Sequence, residues 1–201
     1  MRLILGFYNK SVILTYIGAV AAVLGIALAF LDNVKFSILC LIVCGIADLF
    51  DGMIARRCKR SDQEKEFGIQ IDSLTDIVSF AIFPIVISFA LGNTSWYHVL
   101  MSSVYVLSAI TRLGYFNVVT ANADGAKFYL GLPVTFASLI IVSSYVVGAL
   151  LDITNHLVFA SIIVMSLLFV LRFKFKKPNG VVYAFIGIFA IIMTVAVILV
   201  G

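Results

Sequence analysis

Long apolar runs separated by short polar punctuation set the pattern of this chain. Uncharged stretches cover residues 11–31, 77–111, 128–151, 153–171 and 178–201, and 36–55 is apolar around two aspartates. A bilayer core takes about 20 such residues per helix, so each run predicts one membrane span. The exception is 77–111, which the turn signal Gly92-Asn93-Thr94-Ser95 divides in two. Seven spans result, at 11–31, 36–55, 71–91, 96–117, 128–151, 154–172 and 181–200. The expected fold is all-α: a polytopic transmembrane bundle of six core spans plus a seventh, C-terminal one, forming a single domain over 1–201.

Composition agrees with that class. The chain is 63% hydrophobic and 12% charged, with a mean hydropathy of +1.16, whereas soluble domains carry about 25% charged residues. Ala27-Leu28-Ala29 has the form of a signal-peptidase site, but the 21 uncharged residues of 11–31 are long for a signal peptide, so a retained helix is expected. The net charge of +4 is informative through its placement. With the N-terminus in the cytoplasm and alternating spans, Lys35 alone of the fourteen Lys and Arg residues falls outside. That asymmetry is the positive-inside pattern, so the charge reports orientation in an inner membrane and not nucleic-acid binding. The connections expected on the cytoplasmic face (56–70, 118–127 and 172–180) are long and charged, and the outer ones are minimal. Soluble reactants are therefore expected to be handled on the cytoplasmic side. The basic run Arg172, Lys174, Lys176 and Lys177 would attract anionic headgroups or simply fix orientation. Cys40, Cys44 and Cys58 form no CxxC pair and read as packing residues.

Carboxylates within apolar spans change the picture from topology to chemistry. Each costs about 2.5–3.5 kcal/mol to insert and marks a functional site by default. Asp48 and Asp51 are three residues apart and Asp72 and Asp76 four apart, so each pair shares one helical face. The 56–70 connection makes the two helices antiparallel neighbours, which lets the pairs face one another. Four crowded carboxylates repel, and divalent cations remove that conflict. An all-oxygen ligand set favours hard ions such as Mg²⁺ or Mn²⁺, which recruit substrate phosphates to complete their shells. The pattern therefore points to metal-assisted phosphoryl chemistry. The bland alternative is a belt of carboxylates paired with Arg56, Arg57 and Lys59. Glycines flank the acids: Gly52 follows Asp51, and Gly68 precedes Asp72 by four. Small residues there let a ligand approach closely, or serve helix packing.

Taken together, Asp48-x-x-Asp51-Gly52-x-x-Ala55-Arg56 and Gly68-x-x-x-Asp72-x-x-x-Asp76 resemble the signature of the CDP-alcohol phosphotransferase family. Eleven residues separate Arg56 from Gly68, more than the family commonly has, and the charged insert around 59–66 reads as a longer cytoplasmic turn. Within the family, Glu66-Phe67-Gly68, Arg112-Leu113-Gly114-Tyr115-Phe116-Asn117 and Gly131-Leu132-Pro133 are most similar to bacterial phosphatidylserine synthases. Gly114-Tyr115 departs from the Ala-Arg that those enzymes carry, and Leu14-Thr15 lacks a preceding Pro-Asn.

The resemblance implies transfer of a phosphatidyl group from CDP-diacylglycerol to L-serine, giving phosphatidylserine and CMP. It also implies two divalent cations, Mg²⁺ or Mn²⁺, on Asp48, Asp51, Asp72 and Asp76, with Asp76 doubling as general base. Asp51, Gly52, Ala55, Arg56 and Gly68 would form the nucleotide pocket, and a homodimer is expected. Arg112 and Asn117 are candidates for binding the serine carboxylate or a substrate phosphate; a snorkelling arginine is the alternative. Tyr115 and Phe116 read as interfacial aromatics, and His98 and His156 fall at the outer face. Two other readings stay open: a sister enzyme using glycerol phosphate or inositol phosphate, and a cation transporter. Transporters place such sites near the midplane on broken helices, often with inverted repeats; here the acids cluster at one face and no repeat is visible.

Overall fold

The computed structural model describes residues 6–121, 128–176 and 180–200. Helices follow the apolar runs closely: α1 Lys10–Phe30, α2 Val34–Arg57, α3 Asp62–Asp76, α4 Phe83–Ala90, α5 Trp96–Ala121, α6 Phe136–Leu150, α7 Thr154–Val170 and α8 Gly180–Val200. A π-helical turn, Ile77–Ile82, joins α3 to α4 without a break in the rod. Among the described residues four helical stretches are long and apolar enough to cross a membrane: Val12–Phe30, Val34–Ala55, Asp62–Ala90 and Trp96–Val119. Phe136–Leu150, Thr154–Val170 and Phe185–Val200 are apolar but shorter.

Two boundaries differ from expectation. The 56–70 connection is mostly helix. Ser61 caps α3 by accepting from the Glu64 N–H at 3.3 Å, while the Glu64 carboxylate accepts from the Ser61 N–H at 2.8 Å. This capping box is written in the sequence as Ser61-Asp62-Gln63-Glu64, and it turns most of the charged insert into the first turns of a helix. The fifth span begins at Phe136 and not at 128. Residues Phe128–Leu130 instead form β1, paired antiparallel with β2, Lys174–Lys176. The all-helical expectation holds for every long element, and this three-residue ribbon is the addition.

The core is continuous, running through Ile38, Leu41, Phe80, Phe83, Ile87, Tyr105, Ile141, Ile162 and Phe169. α1 lies along α2, α5 along α7, and α6 against both α7 and α2. α8 covers the remaining flank of α2 and α6, and the Lys35 ammonium at the start of α2 donates to the Ile198 carbonyl near its end at 2.8 Å. Large apolar side chains such as Val20, Leu107, Leu167 and Ile191 point outward. Water would penalise that surface, whereas lipid does not. The C-terminal end of α2 and the N-terminal ends of α6 and α8 therefore share one end of the bundle.

Candidate active site

The four aspartates come together from two antiparallel helices. Asp48 lies nine residues before the end of α2, about 14 Å along the helix axis. One carboxylate oxygen from each of Asp48, Asp72 and Asp76 falls within 4.8 Å of the others. Asp51 sits beside them, 7% exposed, and its Oδ2 accepts a 2.9 Å hydrogen bond from the Thr15 hydroxyl of α1. A surface ion pair joins Lys65 to Asp62 at 2.9 Å, well away from the four, and Arg112 lines the same cavity as they do. An all-oxygen set at this spacing suits a hard divalent cation. The residues present fit such an ion.

The carboxylates form the polar part of a cavity of about 440 Å³. Asp48, Asp51, Gly52, Asp72, Asp76 and Arg112 line one part of it. The remainder is apolar, walled by Ile42, Ile46 and Leu49 of α2, Leu139 and Val142 of α6, and Ile186, Ala190 and Met193 of α8. α2 and α6 are held tightly together at this level, since a Cβ on Gly45 would lie 2.5 Å from the Ser138 hydroxyl. Such a volume and lining suit a ligand with a charged head and a long apolar tail.

Arg112 is 6% exposed and lies over the Phe116 ring at 5.0 Å. Its backbone surroundings come from the ribbon: the Gly131 N–H donates to the Phe173 carbonyl at 2.9 Å, and Gly131 has φ +72°. Any side chain there would be strained and crowded, with Phe169 O at 3.1 Å and the Arg112 Nε at 3.6 Å from a Cβ. β1 and β2 thereby seat Pro133–Thr135 against the cavity mouth, where all three residues line it.

The sequence-derived site residues fall into four groups. Asp48, Asp51, Gly52, Asp72, Asp76 and Arg112 line the one cavity. Ala55 and Gly68 lie a turn further out on the same two helices, and the Arg60 guanidinium packs on Gly68, 3.3 Å from where a Cβ would stand. The Arg56 side chain lies outside the described residues, as do those of Arg57 and of Lys174, Lys176 and Lys177. Asn117 donates its side-chain amide to the Ser73 hydroxyl at 2.8 Å, tying α5 to α3 next to Asp72. Phe116, expected at the interface, lines the cavity instead. Sequence reasoning did not assign Thr15 a role, although Leu14-Thr15 stood at a recognised family position. The apolar wall from α8 had no local signal, because a cavity-lining helix and a lipid-facing one have the same composition. Cys44, read as a packing residue, is buried with its thiol against the Gly18 carbonyl at 3.4 Å.

Comparison with known proteins agrees with this geometry. The model of the CDP-alcohol phosphatidyltransferase family matches residues 8–200. The archaetidylserine synthase of Methanothermobacter thermautotrophicus is 28% identical over 169 residues, 84% of this chain and 70% of that protein. The CDP-diacylglycerol–serine O-phosphatidyltransferase of Bacillus subtilis is 24% identical over 149 residues, 73% of this chain and 77% of that protein. The Saccharomyces cerevisiae protein of the same name is 36% identical over 107 residues, half of this chain but 38% of that longer protein. The chain belongs to the CDP-alcohol phosphatidyltransferase family.

Proposed function

We propose that this family member transfers the phosphatidyl group of CDP-diacylglycerol to the hydroxyl of L-serine, releasing CMP. The observation that carries the reading is the single cavity with four carboxylates at one end and apolar walls from α2, α6 and α8 along the rest. It matches the division of the donor lipid into a pyrophosphate head and acyl tails. Asp48, Asp51, Asp72 and Asp76 would hold two divalent cations, Mg²⁺ or Mn²⁺. When bound, these would neutralise the pyrophosphate and make its phosphorus a better electrophile.

The residues supply the rest. Asp76 takes the proton from the serine hydroxyl as that oxygen attacks the lipid-side phosphorus. The new P–O bond forms as the bond to CMP breaks, and CMP leaves as an anion with no protein acid required. Thr15 fixes the Asp51 carboxylate through its hydroxyl, and Gly52, Ala55 and Gly68 leave room for cytidine and ribose beside Arg56. Arg112 holds an anionic group, the serine carboxylate or a substrate phosphate. Asn117, whose nitrogen is committed to Ser73, has its amide oxygen left for the acceptor.

Among the described residues lining the cavity Arg112 is the one cation. That favours an unphosphorylated alcohol over glycerol phosphate or inositol phosphate. The relatives named for serine transfer support the same choice. The bundle is read as one domain with seven spans and a cytoplasmic N-terminus, acting as a homodimer in the inner membrane, with the carboxylates toward the cytoplasm.

One assay tests the reading. Purified protein is incubated with CDP-diacylglycerol, Mn²⁺ or Mg²⁺, and each candidate alcohol in turn, and CMP release is followed. Release with serine is the expected result. Release with glycerol phosphate but not serine moves the protein to a sister activity, and none with any acceptor removes the transferase reading.

A further inference from the structure

The rod that carries Asp72 and Asp76 changes helical type directly after Asp76. Residues Ile77–Ile82 are π-helical, and the Phe83 N–H reaches back five residues to the Val78 carbonyl. Pro84 follows. Having no N–H, it cannot give the Phe80 carbonyl its α-helical hydrogen bond. The hydroxyl of Tyr105, on α5, donates to that carbonyl at 2.6 Å. Tyr105 is fully buried and Phe80 is 1% exposed, so no water competes for the bond.

The helical type decides where the carboxylates point. In an uninterrupted α-helix Asp76, Phe83 and Ile87 would fall on one stripe, because they are seven and eleven residues apart. A π turn holds one extra residue, which rotates everything before it by about 100° relative to everything after it. Phe83 uses its face to fill the space between α1 and α2, where its ring and Cys40 surround Gly25. The extra residue therefore sets the direction of Asp72 and Asp76 relative to Phe83 and Ile87.

We propose that Tyr105 is a positioning residue for the metal site: by occupying the Phe80 carbonyl it holds the π turn, and through the turn the direction of Asp72 and Asp76. This rests on the reading of the four aspartates as a metal site. Tyr105 touches neither substrate nor cation in this scheme.

The test is Mn²⁺ binding to the purified full-length protein, followed by electron paramagnetic resonance, with thermal unfolding measured in parallel. Tyr105→Phe keeps the ring and removes the donor. It is expected to weaken Mn²⁺ binding about tenfold or more, in the range seen when groups that orient metal ligands are removed. Tyr105→Phe combined with Pro84→Ala then supplies an N–H to the Phe80 carbonyl. The turn can close as α-helix, so stability should recover while Mn²⁺ binding stays weak. Wild-type Mn²⁺ binding in Tyr105→Phe overturns the proposal. Recovery of both stability and Mn²⁺ binding in the double variant also overturns it, since the carbonyl then needed only a partner. Failure of the wild-type protein to take up Mn²⁺, or uptake unaffected by Asp48→Asn, removes the metal-site reading itself and the proposal with it.

Discussion

Both ends of the bundle bury polar side chains, but they resolve them in opposite ways. At the α4–α5 end, Asn93 is 2% exposed and donates to the Ser88 hydroxyl at 3.1 Å and to the Asn155 carbonyl at 2.9 Å. His98 beside it accepts from the Ser95 N–H at 3.2 Å, packs against Tyr97 and meets Phe159 edge-on. Those groups find partners within the protein, so that end is a structural clasp. At the other end four carboxylates meet, and the Thr15 hydroxyl of α1 donates to one of them, Asp51. A neutral amide can be satisfied by a carbonyl, but four negative charges need positive charge. A buried carboxylate cluster of this kind fits a ligand that brings positive charge.

That contrast predicts different consequences for substitutions at the two ends. The largest is expected for Asp76→Asn, which keeps size and removes the base: turnover should fall by about 10²–10⁴-fold, as CMP release would show. Turnover at the wild-type rate would take the base role from Asp76. Thr15→Val keeps the shape of the side chain and removes the hydroxyl that orients Asp51. Metal affinity or activity should drop by about 10–100-fold, read from a Mn²⁺ titration; an unchanged titration would make Thr15 a packing residue only.

A smaller and selective effect is expected in the apolar half of the cavity. Gly187 lines it, and a Cβ there meets nothing within 4 Å. Gly187→Phe should therefore fill the groove without disturbing the helix. Activity on a long-chain CDP-diacylglycerol should fall about tenfold relative to a short-chain analogue; an unchanged ratio would place the tails elsewhere. The clasp should behave in the opposite manner. Asn93→Ala leaves Ser88 and Asn155 without their partner and should cost about 1–3 kcal/mol of stability, measured by unfolding, with the metal titration of the folded protein unchanged. A shifted titration there would couple the two ends and end the distinction between them.

The helices and the aspartate cluster were legible in the sequence because each depends on local pattern. Apolar run length sets membrane helices, and spacings of three and four put Asp48 with Asp51 and Asp72 with Asp76 on shared faces. The Ser61 capping box was equally local, although the charge around it read as a turn. The sequence thus determined a helical bundle, an aspartate cluster at one face and the family signature that frames it. Three features depended on contacts between distant segments, and only the tertiary structure decided them. The ribbon of β1 and β2 joins residues 44 to 48 positions apart, from Leu130↔Lys174 to Phe128↔Lys176, too short a pairing to leave a strand pattern. The apolar wall of α8 is recognisable only once α2 and α6 stand beside it. The turn after Asp76 reads as ordinary helix until Pro84 and Tyr105 are placed together, because the bond that defines it comes from a residue 25 positions away. Periodicity can assign side chains to a face of their own helix; which way that face looks is set by the neighbours.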